Sequence, residues 1–252
     1  MATSPAPSMS EPAPPSGVSG AHFGKQLGLK QYCNSPTMSD IIIRFGSSGE
    51  RMFYGHKVVL CARSYWFQAA LNGRFIESVS TEIQLHDDND DALQYVLEAA
   101  YLPPLPEGWD PDQKHATPAN DAQPEDISSA NKLALFWLRC LRVADKYDFA
   151  DMQARLQEYA GHELDDYTTL AACHTACTPG FLEVVREIYD LPPTLASKVR
   201  IQFFDCVMCT RSLWSSTAVM LRCVAKQHAE FAQELLDHML RDEEKQEDKL
   251  AQ

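Results

Sequence analysis

Between Tyr54 and Phe67 the chain reads YGHKVVLCARSYWF. His56, Lys57, Cys61 and Ser64 bring an imidazole, an ammonium, a thiol and a hydroxyl together, the residue types of a nucleophilic enzyme. Such an enzyme needs its nucleophile within hydrogen-bond reach of the base, and a third group to orient that base. A second collection lies downstream. Cys173, His174 and Cys177, with Cys206 and Cys209, form C-x-x-x-C and C-x-x-C pairs, and two such pairs could supply a tetrahedral zinc site.

Each set also has a plainer reading. Cys61 sits in the apolar run VVLCA, where a thiol packs as a small hydrophobe. Ser64 stands where it would N-cap the following helix, YWFQAALNG, which Asn72-Gly73 ends. The chain has neither a G-x-S-x-G elbow nor a glycine-rich phosphate loop. The stretch therefore reads as packing and turn chemistry, and the protein is expected to be no enzyme and to need no cofactor. The cysteine pairs fall on predicted helices beside Leu170 and Leu213, without the Gly or Pro knuckles that present zinc thiolates. Buried thiols are expected, with zinc at Cys173, Cys177, Cys206 and Cys209 as the remote alternative.

Composition narrows the function classes. In 252 residues, 45% are hydrophobic and 23% charged, ordinary values for a globular protein. A net charge of -13 and a pI ≈ 5.0 disfavour a phosphate-neutralising surface, so nucleic acid is not an expected partner. From Asp87 to Asp126 there are eleven acidic side chains and one basic one, Lys114. The N-terminal MATSPAPSMSEPAPPSGVSG lacks the basic and apolar regions of a signal peptide, and LALFWLRCLRVA is broken by Arg139 and Arg142. No membrane association is expected, and the cytoplasm or nucleus is the expected location, where cysteines stay reduced.

Positioning elements follow from periodicity. Residues 1–24, rich in Pro and Ser, read as disordered. Ile41, Ile43 and Phe45 alternate with Ile42 and Arg44 as a half-buried strand; GSSGE turns, and RMFYG returns. HKVVLCAR continues as a helix with Val58, Val59 and Ala62 on one face. TEIQLH is a third strand, with Ile83 and Leu85 inward. DDNDDALQYVLEAAYL is a helix opened by acids and buried through Leu93, Val96, Leu97, Ala100 and Tyr101. An acidic, Pro-rich insertion occupies 103–127. Two helices follow, one through Leu133, Phe136, Trp137, Cys140, Leu141 and Ala144, the other through Phe149, Met152, Leu156, Tyr159 and Ala160, with Asp148 as a cap between them. Beyond Asp165 everything reads helical: a new helix opened by acidic caps, another begun by Thr178-Pro179 and one after Pro192-Pro193. A last long helix runs from Ser215 to the acidic tail at 242–252. Its Leu221, Val224, His228, Phe231, Leu235 and His238 make a seam too short for a coiled coil.

Five signatures occur in one order: Ser39-Asp40-Ile41; Phe53 with Gly55-His56-Lys57-Val58-Val59-Leu60 and Arg63-Ser64-Tyr65-Trp66-Phe67; Gly73-Arg74-Phe75-Ile76-Glu77-Ser78; Ile83-Gln84-Leu85-His86-Asp87-Asp88; and Val143-Ala144-Asp145-Lys146-Tyr147. Together they resemble the BTB/POZ domain, an interaction module with a Skp1-like fold, over roughly residues 38–162. The likeness is greatest to the BTB proteins of filamentous fungi. It implies an α+β core, a small three-stranded sheet with surrounding helices, within 25–162. An all-helical C-terminal extension follows over 163–241.

The resemblance also implies roles. Asp40 and Lys57 look like the family's paired polar pocket, with His56 fixing the turn. Members that bind a cullin scaffold place an apolar residue two before a glutamate after the second helix, which here are Phe75 and Glu77. Tyr101 and the helix around Trp137 would be neighbours on that face. A substrate adaptor of a cullin-type ubiquitin ligase is therefore the first expectation, and a self-associating or transcription-linked scaffold the alternative. Dimerising members carry a firm helix before the first strand. Here FGKQLGLKQY contains Gly24 and Gly28, each costing about 1 kcal/mol relative to alanine in a helix, which argues against a homodimer by that route.

Overall fold

A computed structural model describes residues 28–73, 75–102, 127–173, 178–210 and 214–250. The expected disorder of 1–24, most of the acidic insertion, and His174 and Cys177 lie outside the described residues. So do Arg74 and the side chain of Cys173.

Strand β1 (Ile41–Phe45) buries Ile41, Ile43 and Phe45 and turns Ile42 and Arg44 outward, as the alternation predicts. Gly46 and Gly49 take positive φ in the turn to β2 (Arg51–Gly55), which pairs antiparallel with β1. Strand β3 (Glu82–Gln84) joins the other edge of β1 in parallel, giving the order β2-β1-β3. Among the described residues before the sheet, Leu29–Tyr32 forms a short 3₁₀ turn.

Between β2 and β3 run α1 (Lys57–Arg63) and α2 (Tyr65–Asn72), then a 3₁₀ turn at Ile76–Ser78. The face of α1 differs from expectation. Val59 and Leu60 are buried, whereas Val58 and Ala62 are exposed. In two turns of helix more than one arc of apolar residues qualifies, and the approach to the sheet decides. A Cβ on Gly55 would stand 3.0 Å from Ile41 Cγ2 and 3.1 Å from Leu60 Cδ1, so the missing side chain lets Leu60 reach the strand.

The helix α3 (Asp90–Ala99) is capped by Asn89, whose side chain accepts from Ala92 N. The next helix, α4 (Ile127–Lys146), packs on α3 on one side and on the later helices on the other. It buries residues almost all round, from Ala130 to Ala144. Asp148 closes α4 and does not open the next helix. It takes φ 50, Phe149 N–H reaches back to Ala144 O at 2.8 Å, and Asp148 N–H to Asp145 O at 3.0 Å. That is a Schellman ending, with aspartate in the left-handed position usually held by glycine.

From there α5 (Ala150–Cys173) runs unbroken through 162 and 163, where the sequence suggests a boundary, and past Asp165, where it suggests a new cap. α6 (Thr178–Tyr189) and α7 (Pro193–Cys209) begin at the predicted prolines. The expected single last helix is two, α8 (Trp214–Ala225) and α9 (Ala229–Leu250). His228 ends the seam: its Nδ1 accepts from Phe231 N at 3.2 Å, an N-cap made by an imidazole. One hydrophobic core extends from Ile41 through α4 and α5 to Leu235, so sheet and terminal helices share an interior.

Candidate protein-docking site

His56, Lys57, Cys61 and Ser64 are each engaged with structural partners, not with one another. His56 is buried. Its backbone N–H donates to Tyr101 Oη at 2.9 Å, its Nδ1 lies 3.0 Å from the same oxygen, and its Nε2 lies 3.0 Å from Thr37 O. A carbonyl only accepts, so Nε2 carries a proton and donates to Thr37 O, while Nδ1 and the Tyr101 hydroxyl share the other hydrogen bond. Ser64 is buried as well; its Oγ accepts from Phe67 N and donates to Tyr147 O. Cys61 donates to Phe67 O at 3.5 Å, and burial raises its thiol pKa, against nucleophilic use. No base, nucleophile and orienting group line up among them.

These bonds fasten helix ends together. Ser64 caps α2 and ties it to the last carbonyls of α4, where Tyr65 N also donates to Asp148 O at 3.3 Å. The Lys146 ammonium binds both Asp88 oxygens, at 2.9 and 3.0 Å, and Tyr147 Oη donates to Asp88 at 2.6 Å. Burial pushes the Tyr147 phenol well above its ordinary range, with the bond to Asp88 adding to it. The ADKYD stretch is thus a clasp between α4 and the start of α3.

Asp40 and Lys57 do not form a closed ion pair. The Asp40 carboxylate is exposed and accepts the backbone N–H of Lys57 at 2.7 Å, holding the first turn of α1. The Lys57 ammonium reaches past it to the carbonyls of Ser78 and Ser80, at 3.0 and 2.9 Å. It braces the segment joining α2 to β3.

That segment carries the exposed apolar groups. Phe75 is 63% exposed, Ile76 77% and Val79 83%, with Glu77 half-buried beside them. The turn is closed by Ser78 Oγ to Phe75 O at 2.7 Å and Ser80 Oγ to Ile76 O at 2.9 Å. Gly73 lets the chain leave α2 sharply, since a Cβ there would collide with the carbonyl of Ala69. The turn is thus locked at both ends and still holds three apolar side chains in water.

Two expected neighbours are elsewhere. Tyr101 is 1% exposed, bonded to His56, and Trp137 is 3% exposed between α3 and α5; both serve the interior and are unavailable to a partner. Of the cysteine pairs, Cys206 is buried and Cys209 exposed. Burial, with Asp165 beside it, pushes the Cys206 thiol up to about 12, so a metal would have to displace a tightly held proton. Among the described residues, no three His, Cys, Asp or Glu side chains come close enough to hold a metal ion. No helix among them is long and apolar enough to cross a membrane.

Residues 29–118 match the family profile of the BTB/POZ domain. Over that stretch the chain carries a BTB/POZ domain. The three-stranded mixed sheet with its helices is the fold of that region, and the all-helical region follows it. The match takes in β1 to α3, including the Lys57 brace and the Phe75 turn. Such a domain is a non-catalytic module for protein–protein interaction. No curated protein matches the chain in sequence.

Proposed function

We propose that the protein is an adaptor that binds a cullin-type scaffold through Phe75, Ile76 and Glu77, leaving its C-terminal helices to choose a substrate for ubiquitin transfer. The observation that carries this reading is the exposure of Phe75 and Ile76 on a turn braced by Lys57. A bulky apolar anchor presented with little ordering cost, next to a carboxylate at the rim, is the form of an interface hot spot.

The test is co-purification with cullin N-terminal domains. Wild-type protein is expected to bind, and Phe75→Ala and Glu77→Ala to bind at least about tenfold more weakly, the loss typical of a hot-spot side chain. Binding that survives both changes removes the assignment of the anchor.

A second reading, self-association, is favoured by one observation: Val58 on α1 and Tyr65 on α2 are also exposed. Mass in solution decides it, with a dimer that Tyr65→Glu dissociates as the supporting result. A monomer at every concentration excludes it.

A further inference from the structure

The elbow between α8 and α9 turns on one histidine. The backbone N–H of His228 still belongs to α8 and donates to Val224 O at 2.9 Å, while its carbonyl starts α9 by accepting from Ala232 N at 3.1 Å. Its side chain makes the cap: Nδ1 accepts from the backbone N–H of Phe231 at 3.2 Å. Phe231 is buried, and its ring lies 5.6 Å from that of Phe204 and 6.4 Å from those of Phe181 and Phe203. The cap thus holds the turn that carries α9 into the aromatic centre of the helical region. The imidazole also leans on Tyr189 of α6, 4.4 Å between centroids, and the Arg200 guanidinium of α7 lies 4.1 Å from the centre of the same ring. Arg200 is in turn paired with Glu234 of α9 at 2.9 Å.

A backbone N–H can only donate, so the Nδ1 it reaches carries no proton. Serine, threonine, asparagine and aspartate, the usual N-caps, keep their acceptor oxygen between about pH 5 and 8; histidine loses its acceptor there, when the imidazole takes a second proton. Imidazolium at this position sets a donor against a donor and adds a positive charge at the positive end of the helix dipole. We propose that His228 is a proton-operated latch: neutral, it fastens the first turn of α9 to the aromatic centre, and protonated, it lets that turn open. The charged and titratable groups around it are Glu230 and Glu234 on α9, Tyr189 and Asp190 on α6, Arg200 on α7 and Lys226 at the end of α8. Glu234 is engaged by Arg200, Glu230, Asp190 and Lys226 are exposed, and the Tyr189 phenol, which burial raises above its ordinary range, stays neutral. Attraction from the carboxylates opposes repulsion from Arg200 and Lys226, so these neighbours set the pH of the change. None of them is bonded to Phe231 N, whose acceptor is the imidazole.

Amide hydrogen exchange of the full chain at about pH 7.5 and about pH 5.5 reads the latch at residues 231–235, as protection factors so that the intrinsic pH dependence of exchange cancels. In the wild type, protection there is expected to fall about five- to tenfold from the higher pH to the lower, the size of one lost cap. His228→Asn supplies a cap that does not titrate and should keep the high protection at both. His228→Ala should show the reduced protection at both, and the asparagine variant decides by itself should the alanine variant not fold. A second imidazole on the same helix, His238, stacks on Phe204 at 4.7 Å, so His238→Gln is the control and should leave the wild-type fall intact. Wild-type protection that is equal at both pH values overturns the inference. So does an equal fall in His228→Asn, or a fall that His238→Gln abolishes.

Discussion

The BTB/POZ region and the helices after it are held by different means. From β1 to α3, polar side chains bind backbone at nearly every corner: Asp40 at Lys57 N, Lys57 at Ser78 and Ser80, Ser64 at Phe67 and Tyr147. From α5 to α9 the centre is aromatic. Phe203 stands 5.6 Å from Phe181, and Phe204 lies 5.6 Å from Phe231 and 4.7 Å from His238. Short strands and two-turn helices leave many backbone groups at their ends, and side-chain hydrogen bonds satisfy them while fixing direction. Long helices satisfy their own backbone and need only a shared apolar face. The first strategy holds an exposed turn in place; the second makes a solid support.

That contrast can be attacked where each strategy concentrates. Phe204→Ala strikes the aromatic centre and should cost about 3–5 kcal/mol by the usual penalty for a buried ring, read from urea unfolding. A loss below about 1 kcal/mol would show that the helical core does not depend on these rings. Ser64→Ala removes a cap and leaves the carbonyl of Tyr147 without its donor. A loss of about 2 kcal/mol is expected, with the far-UV spectrum kept. If it costs nothing, the corner bonds are ornaments of the sheet region.

The smallest effect concerns pH. Burial first, then Asp166, raises the Glu163 carboxyl to about 7 in the folded protein, against 4.5 for the ordinary group. The folded state therefore holds the proton more tightly than the unfolded state. This group's contribution to stability is intact below about 4.5, falls as pH rises and is fully lost above about 7. Glu163→Gln should accordingly melt higher than wild type at pH 8 and converge with it at pH 4.5. A pH-independent difference between the two melting curves would reject this titration.

Much of the fold is legible in the sequence, and the misses have physical causes. The alternation of Ile41, Ile43 and Phe45, the cap at Ser64 and the stops at Gly73 and Pro192-Pro193 are local chemistry, so sequence exposes them. The break between α8 and α9 is not local. Lys226 and Gln227 are good helix formers, and the cap is an imidazole, a residue outside the usual capping set; packing of α8 on α5 and α6, and of α9 on α7, imposes the bend. The continuity of α5 is hidden by Asp165 and Asp166, whose acids mimic a helix start in mid-helix. At the site, Phe75 and Glu77 are visible only through the resemblance. The reach of Lys57 to two carbonyls more than twenty residues away in sequence has no sequence signal, because any backbone carbonyl accepts equally well. The helical periods of Tyr101 and Trp137 place both inward, and their burial excludes the surface role that the resemblance implies.

The central claim is that the Lys57 ammonium, through the carbonyls of Ser78 and Ser80, holds the exposed turn at residues 75–80 in shape. Amide hydrogen exchange of residues 75–80, compared between wild type and Lys57→Met, tests it most directly. Exchange in that segment is predicted to be at least about tenfold faster in the variant, from losing charge-assisted bonds to Ser78 and Ser80, with protection of β1 and α4 unchanged. Unaltered protection of the turn in the Lys57→Met protein would contradict it.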